Sequence, residues 1–145
     1  RILVDKKRVI LIDDSIVRGT TSIKIVQMMR EAGATEVHMR IAAPPIRHPD
    51  FYGIDTPVQD QLLAANNSLE EMCDFIGADS LAFLTVDGLY KAMGHKNGRD
   101  NDNPAYTDHC FTGDYPTQLQ DQKNDEKIQQ LSLLSERQYF EKISS

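Results

Sequence analysis

The sequence predicts an α/β fold in which helices flank a parallel sheet, and two features support this. Short apolar segments alternate with amphipathic segments along the first 94 residues, an order that usually builds a parallel sheet covered by helices. A loop with one glycine and several hydroxyl groups follows the first strand, and α/β proteins bind ligands at such strand ends. Functional groups are therefore expected at the carboxyl edge of the sheet.

Two strands are predicted in the amino-terminal third of the chain. A buried strand is predicted over residues 8–12, because residues 9–12 form an apolar run that is typical of such a strand. In residues 37–41 apolar residues alternate with His38 and Arg40. One face of this second strand is therefore expected to be less fully covered than the first strand.

A helix is predicted between these strands, over residues 21–32. Its expected core positions follow the i, i+3, i+4, i+7 spacing of a helix face: they are Ile25, Met28, Met29 and Ala32. Gly33 stands where a helix commonly ends in a left-handed residue.

Three further elements are expected before residue 95. A helix over residues 68–76 has Ser68 as its N-cap and Gly77 past its end. A strand follows over residues 80–86, and a short helix over residues 87–93.

The chain is expected to have three parts. Residues 1–94 form the α/β domain, and residues 95–117 a linker followed by a segment that packs on it. Within the linker, residues 95–104 are too polar for a packed structure to be expected. Residues 118–145 are largely polar, so a mobile tail is predicted.

Composition excludes some classes of partner. The formal charge of −6 disfavours nucleic acid, whose binding depends on Lys and Arg that neutralise phosphates. No apolar run is long enough to cross a bilayer. The two cysteines, Cys73 and Cys110, are far apart and suit a reducing compartment, so a cytoplasmic location is predicted.

The loop after the first strand carries the candidate site. Asp13 and Asp14 directly follow the apolar run, and the next helix is expected to begin near Thr21. A helix amino terminus offers unpaired N–H groups, and glycine allows close approach of the backbone, so phosphate is expected there. Two carboxylates beside a phosphate would instead contact sugar hydroxyls or a divalent cation. A ribose 5-phosphate with Mg²⁺ would satisfy all of these groups.

Four ordered segments identify a resemblance. The segment DDSIVRGTTS after a hydrophobic strand resembles the phosphoribosyl pyrophosphate (PRPP) loop of type I phosphoribosyltransferases. Together with IAAPPIRHPDFYGIDTP, IGADSLAFLTVDGL and CFTGDYPT, it resembles the carboxy-terminal part of the amidophosphoribosyltransferase family over residues 8–117. The resemblance implies a partial type I phosphoribosyltransferase fold, which is Rossmann-like.

The resemblance also implies a reaction, the first committed step of de novo purine synthesis. Ammonia released from glutamine displaces pyrophosphate from PRPP and gives 5-phosphoribosylamine. By position, Asp13 and Asp14 would hold the ribose hydroxyls and help to bind Mg²⁺. The 5-phosphate would be bound by the residues that follow, namely Ser15, Ile16, Val17, Arg18, Gly19, Thr20 and Thr21.

Other parts that the family uses are not found in these 145 residues. The glutaminase domain works with an amino-terminal cysteine, and the mobile substrate loop lies upstream of the PRPP loop. The chain is therefore expected to be a carboxy-terminal fragment that is inactive by itself, with no catalytic residue of its own. For the longer protein, the resemblance implies PRPP and glutamine as substrates, purine nucleotides as feedback inhibitors and a homo-oligomer.

An iron–sulfur cluster is not expected. In cluster-bearing members a cysteine stands in the place of Asp50, and a CxxC stands in the place of residues 107–110. Here only Cys110 remains, so it is interpreted as an ordinary thiol. The four histidines have no metal-ligand spacing.

Several alternatives remain open at this point. Asp13 and Asp14 would also suit the start of a helix, and Arg18 could be a solvated side chain. Another type I phosphoribosyltransferase, acting in purine salvage or on orotate, would share the loop but not HPDFYGID or CFTGDYPT. A non-catalytic nucleotide sensor is disfavoured because no loop position has been lost.

Overall fold

The computed structural model describes residues 3–54 and 56–117, and its centre is a three-stranded sheet. The strands β1 (Arg8–Asp13), β2 (Glu36–Ile41) and β3 (Ser80–Phe83) lie side by side in this order and are parallel. The predicted parallel sheet is confirmed. The prediction of a mobile tail over residues 118–145 lies outside the described residues.

Five α-helices and a 3₁₀ turn accompany the strands in the described residues. The helices are α1 (Thr20–Glu31), α2 (Leu63–Asn66), α3 (Leu69–Ile76), α4 (Val86–Ala92) and α5 (His109–Thr112), and the 3₁₀ turn is Gln59–Gln61. None of the helices in this part of the chain is long and apolar enough to span a bilayer.

Helices α1 and α3 pack on one face of the sheet and against each other. The core here includes the fully buried Val37 and Met39 of β2, together with Val26 of α1 and Met72 of α3. Because side chains alternate along a strand, only every second residue of each strand points into this core.

The opposite face of β1 is open, which corrects a prediction. Ile10 is 65% exposed and Ile12 is 80% exposed, although residues 8–12 were expected to be fully buried. Strand β1 lies at one edge of the described sheet, and its even-numbered residues point away from α1 and α3. The expected order of burial is reversed as well, since the central strand β2 is the better covered one.

The core face of α1 also differs from the prediction. Met28 is 55% exposed, whereas Ser22 and Val26 are buried. The buried stripe therefore follows residues 22 and 26 rather than 25 and 28, and both spacings satisfy the same helical period. The prediction is confirmed at Met29, which packs against the core. Gly33 does follow the helix end with a φ of 99°, as predicted.

The later elements were predicted more closely. Ser68 caps α3 in a capping box with Glu71, whose side chain accepts from the Ser68 N–H at 2.7 Å. Strand β3 ends earlier than expected, because Thr85 accepts from the Gly88 N–H at 2.9 Å and so begins α4.

The segment over residues 95–104 was expected to be too polar to pack, and this is wrong at Arg99. Its side chain is 9% exposed, and its Nε donates to Asp108 at 2.6 Å. A second nitrogen of the guanidinium donates to Asp114 at 2.6 Å. Charge pairing thus anchors a segment that has little apolar surface.

Candidate functional site

A cleft of about 300 Å³ lies where β1 ends and α1 begins. It is lined by all nine residues that the sequence singled out and by one more: Asp13, Asp14, Ser15, Ile16, Val17, Arg18, Gly19, Thr20, Thr21 and Ser22. Carboxylates, hydroxyls and a helix amino terminus therefore line the same space.

Two contacts fix the loop to the body of the domain. Ile16 is 2% exposed, and its side chain is part of the core, so only its backbone is available to a ligand. The Val17 carbonyl accepts from the Leu63 N–H at 2.8 Å. The loop is thereby held in place before any ligand binds, which lowers the cost of ordering it.

Gly19 makes the turn into α1. Its φ is 77°, which an L residue adopts only with strain. A Cβ atom at this position would lie 2.8 Å from Leu63 Cδ2 and 3.1 Å from Phe75 Cε1. Glycine is therefore required both by the backbone conformation and by the space behind it.

The amino terminus of α1 points its free N–H groups at the cleft. No side chain caps this helix, and its first turn holds no acidic residue. The first N–H groups of a helix have no partner within the helix, and they carry the positive end of its dipole. Thr20 and Thr21 are exposed here, and the buried hydroxyl residue Ser22, which the sequence analysis overlooked, also lines the cleft.

The two carboxylates enter the cleft from the strand side. Asp13 Oδ1 accepts from the Asp14 N–H at 3.0 Å, and Asp14 Oδ1 accepts from the Ser15 hydroxyl at 3.1 Å. Within the described residues, neither carboxylate forms an ion pair. The alternative that they cap a helix is wrong, because α1 begins at Thr20 after the N-cap Gly19.

Arg18 is neither buried nor freely solvated. Its Nε and Nη2 donate to Gln61 Oε1 at 3.2 and 2.9 Å, so one amide oxygen holds the exposed guanidinium beside the cleft. Gln61 lies 43 residues away in the chain, and nothing in the local sequence indicates this pairing.

A second group of ligating atoms lies elsewhere, in Asp50, His109 and Cys110. Hydrogen bonds lower the pKa of Asp50, that from the Ile54 N–H most strongly. Burial raises the pKa of the Cys110 thiol, and the Asp50 charge adds to this effect. Cys110 is thus a poor nucleophile at neutral pH.

Comparison with known proteins gives one consistent result. No protein-family model matches the chain. It is 57% identical over 136 residues to the amidophosphoribosyltransferase of Rhizobium etli, a match that covers 93% of this chain and 27% of that protein.

Two solved structures have the same fold. One is glutamine PRPP amidotransferase from Bacillus subtilis complexed with ADP and GMP, with a TM-score of 0.72 and 56% identity over 81% of this chain and 25% of that one. The other is described as the allosteric regulatory enzyme of purine biosynthesis, with a TM-score of 0.71 and 54% identity over 80% of this chain and 24% of that one. The partial type I phosphoribosyltransferase fold is confirmed. The chain spans about a quarter of the length of these relatives, and it belongs to the amidophosphoribosyltransferase family.

Proposed function

We propose that the polypeptide carrying this chain transfers glutamine-derived ammonia to PRPP, giving 5-phosphoribosylamine, glutamate and pyrophosphate. In this proposal the chain supplies the side of the site that holds the ribose and its 5-phosphate. The observation that carries the proposal is the single cleft in which Asp13 and Asp14 face the uncapped amino terminus of α1. The family membership supports the same reaction.

The 5-phosphate binds at the loop between Asp14 and α1. The N–H groups and the hydroxyls of Thr20 and Thr21 donate to its oxygens, and the helix dipole favours its negative charge. Gly19, with its positive φ, turns the backbone into α1 so that the first N–H groups of the helix face the phosphate. These contacts are remote from the reacting carbon, so they fix the position of the ribose.

Asp13 and Asp14 bind the ribose at the other end of the cleft. Their carboxylate oxygens accept hydrogen bonds from the two ring hydroxyls, which orients the anomeric carbon. Displacement at that carbon develops positive charge on the sugar, and nearby carboxylates stabilise it. No side chain of this chain has to act as a nucleophile.

The same carboxylates fit a magnesium ion as well. Mg²⁺ prefers oxygen ligands, and two carboxylates with no ion-pair partner among the described residues provide them. When bound, the ion neutralises charge on the departing pyrophosphate. An iron–sulfur cluster is not part of the proposal, because Asp50 and Thr107 stand where cluster-bearing members have cysteine ligands.

Regulation by purine nucleotides and assembly into a homo-oligomer belong to the same proposal. The structure of the Bacillus subtilis relative contains ADP and GMP, which supports nucleotide binding in the intact protein. A cytoplasmic location is proposed because both cysteines are free thiols, as a reducing compartment would leave them.

The test uses the intact polypeptide that carries this sequence, with ammonia as the amine donor. The Thr20→Val and Thr21→Val double variant removes two loop hydroxyls, and Thr35→Val, outside the cleft, is the control. Hydrogen bonds to a charged group contribute about 1.5–3 kcal/mol, so the KM for PRPP should rise roughly tenfold or more in the double variant only. An unchanged KM in both variants would refute the phosphate site.

The same protein distinguishes the rival functions. Phosphoribosylamine formation supports the proposal, whereas transfer of ribose phosphate to a free purine base or to orotate would assign the chain to another type I phosphoribosyltransferase. Nucleotide binding with neither reaction would identify a sensor.

A further inference from the structure

Three chemically different donor atoms converge where α5 meets the loop after β2. They are Asp50 Oδ1, His109 Nε2 and Cys110 Sγ, and no two of them lie more than 4.8 Å apart. The imidazole nitrogen is 2.7 Å from the carboxylate oxygen and 3.4 Å from the sulfur. None of the three takes part in the PRPP cleft.

The carboxylate is oriented by its surroundings. Asp50 Oδ2 accepts from the N–H groups of Tyr52 and Ile54 at 2.9 and 2.7 Å, which leaves Oδ1 directed at His109. The Asp50 side chain is 3% exposed, and that of His109 is 5% exposed. Such bonds to a ligating carboxylate fix its direction, as they do around metal centres.

The backbone holds the two halves of the group together. The Cys110 carbonyl accepts from the N–H groups of Arg47 and His48 at 2.9 and 3.1 Å, which ties α5 to the loop that carries Asp50. Asp50 and His109 are 59 residues apart in sequence, so the fold, and not local chain geometry, brings them together. The donors are preorganised to within a small adjustment of their side chains.

We propose that Asp50, His109 and Cys110 form a binding site for a single zinc-class divalent ion. Zinc accepts oxygen, imidazole and thiolate ligands together, whereas Mg²⁺ and Ca²⁺ select oxygen only. Bonds of about 2.0–2.3 Å around a tetrahedral ion place its ligands roughly 3.5 Å apart, close to the separation found between nitrogen and sulfur.

Ion binding would change the protonation of the group and join two parts of the fold. The Cys110 thiol would release its proton to solvent, and the His109 proton would lie on Nδ1, so that the lone pair of Nε2 faces the ion. A fourth position is left for water. The ion would join α5 to the loop that carries Asp50. It would stabilise the folded state by an amount that increases with the logarithm of the ratio of ion concentration to Kd.

The simpler explanation of this group is a buried Asp50–His109 ion pair beside an inert Cys110 thiol. Binding of Co²⁺ distinguishes this explanation from a metal site. The intact polypeptide is treated with a chelator, reduced and titrated with Co²⁺. A four-coordinate thiolate site gives visible d–d bands and a near-ultraviolet thiolate-to-cobalt band. We expect one such site per chain, from which Zn²⁺ displaces the cobalt.

Matched cysteine variants locate the site. Cys110→Ser should lose the thiolate band, while Cys73→Ser should keep it, because the Cys73 sulfur lies outside the group and donates to the Ala78 carbonyl. Zn²⁺ should raise the Tm of the wild type and of Cys73→Ser but not that of Cys110→Ser.

A second ligand variant tests the site in case Cys110→Ser does not fold. His109→Gln should alter the d–d bands while Cys110 is still present, so a folding defect in Cys110→Ser would not leave the proposal without a test. A wild-type protein without a thiolate band, or a Cys110→Ser variant that keeps the band, would overturn the proposal. Both results are independent of any PRPP reaction.

Discussion

Leu63 fills the space behind Gly19 so closely that a Cβ atom on the glycine would lie 2.8 Å from Leu63 Cδ2. The adjacent backbone is held too, since the Leu63 N–H donates to the Val17 carbonyl at 2.8 Å. The first residue of α2 therefore supports the loop between β1 and α1 from behind, both by packing and by a hydrogen bond.

Gly19→Ala is expected to damage the loop, and Gly77→Ala is its matched control. Both glycines have a φ near +75°, but nothing lies within 4 Å of a Cβ atom at Gly77. Each variant should lose about 1–2 kcal/mol of unfolding free energy through backbone strain. Only Gly19→Ala should lose more than this and raise the KM for PRPP, because Leu63 has to move. Denaturant unfolding and KM measurements test this, and equal losses with an unchanged KM would contradict it.

The loop could be predicted from sequence because its signals are local. An apolar run, two acids and a Gly-Thr-Thr stand within thirteen residues, and their order alone places them at a strand end and a helix start. The capping box of α3 is equally local. Such patterns do not depend on where the rest of the chain lies.

What the sequence missed depends on distant partners. Ile12 is exposed because it lies on the face of β1 that points away from α1 and α3, which no window of residues reveals. The partner of Arg18 is 43 residues away, and that of His109 is 59 residues away. The buried face of α1 was predicted only in part, with Met29 right and Met28 wrong, because two stripes satisfied the same period and only tertiary contacts select one.

Gln61→Leu is expected to weaken substrate binding through Arg18. Losing the amide oxygen releases the guanidinium, and ordering such a side chain again costs about 0.5–1.5 kcal/mol, or roughly a two- to tenfold rise in the KM for PRPP. Gln59→Leu, in the same 3₁₀ turn, is the control. In an Arg18→Ala background the Gln61 change should have no further effect. A full Gln61 effect in that background would show that it does not act through Arg18.

The Arg99–Asp108 pair is expected to make the free energy of unfolding decrease at acidic pH. Burial alone would raise the pKa of Asp108, but hydrogen bonds from Arg99, Tyr90 and Thr112 outweigh it and lower the pKa below its ordinary value. A lowered pKa in the folded state adds stability at neutral pH. The added stability is fully present above the pKa of Asp108 in the unfolded state, which is about 4. It is lost as the pH falls from that value through the lower pKa of the folded state.

Asp108→Asn should therefore cost about 3–5 kcal/mol of unfolding free energy at pH 7, the range for breaking a buried pair, and should flatten the decline in acid. Asp114→Asn is the control, because Asp114 contacts the same guanidinium but is 51% exposed. It should cost less than about 1 kcal/mol. Denaturant unfolding between pH 7 and acid measures both variants, and equal losses would argue against burial as the cause.

Asp13→Asn and Asp14→Asn are expected to impair catalysis while leaving the fold intact. Asparagine keeps the size of the side chain but removes the charge that ribose hydroxyls and Mg²⁺ require. Losing a charge-assisted contact costs about 1.5–3 kcal/mol, so ammonia-dependent phosphoribosylamine synthesis should fall roughly ten- to hundredfold. Both carboxylates lie outside any described ion pair, and Asp14 is exposed, so the Tm should hardly change. Asp74→Asn, an exposed acid on α3, is the control and should leave both quantities unaltered. Steady-state kinetics at varied PRPP and Mg²⁺ measure the rate of synthesis and the KM, and thermal unfolding measures the Tm of each variant. Normal synthesis and a normal KM in both variants would remove these two acids from the site.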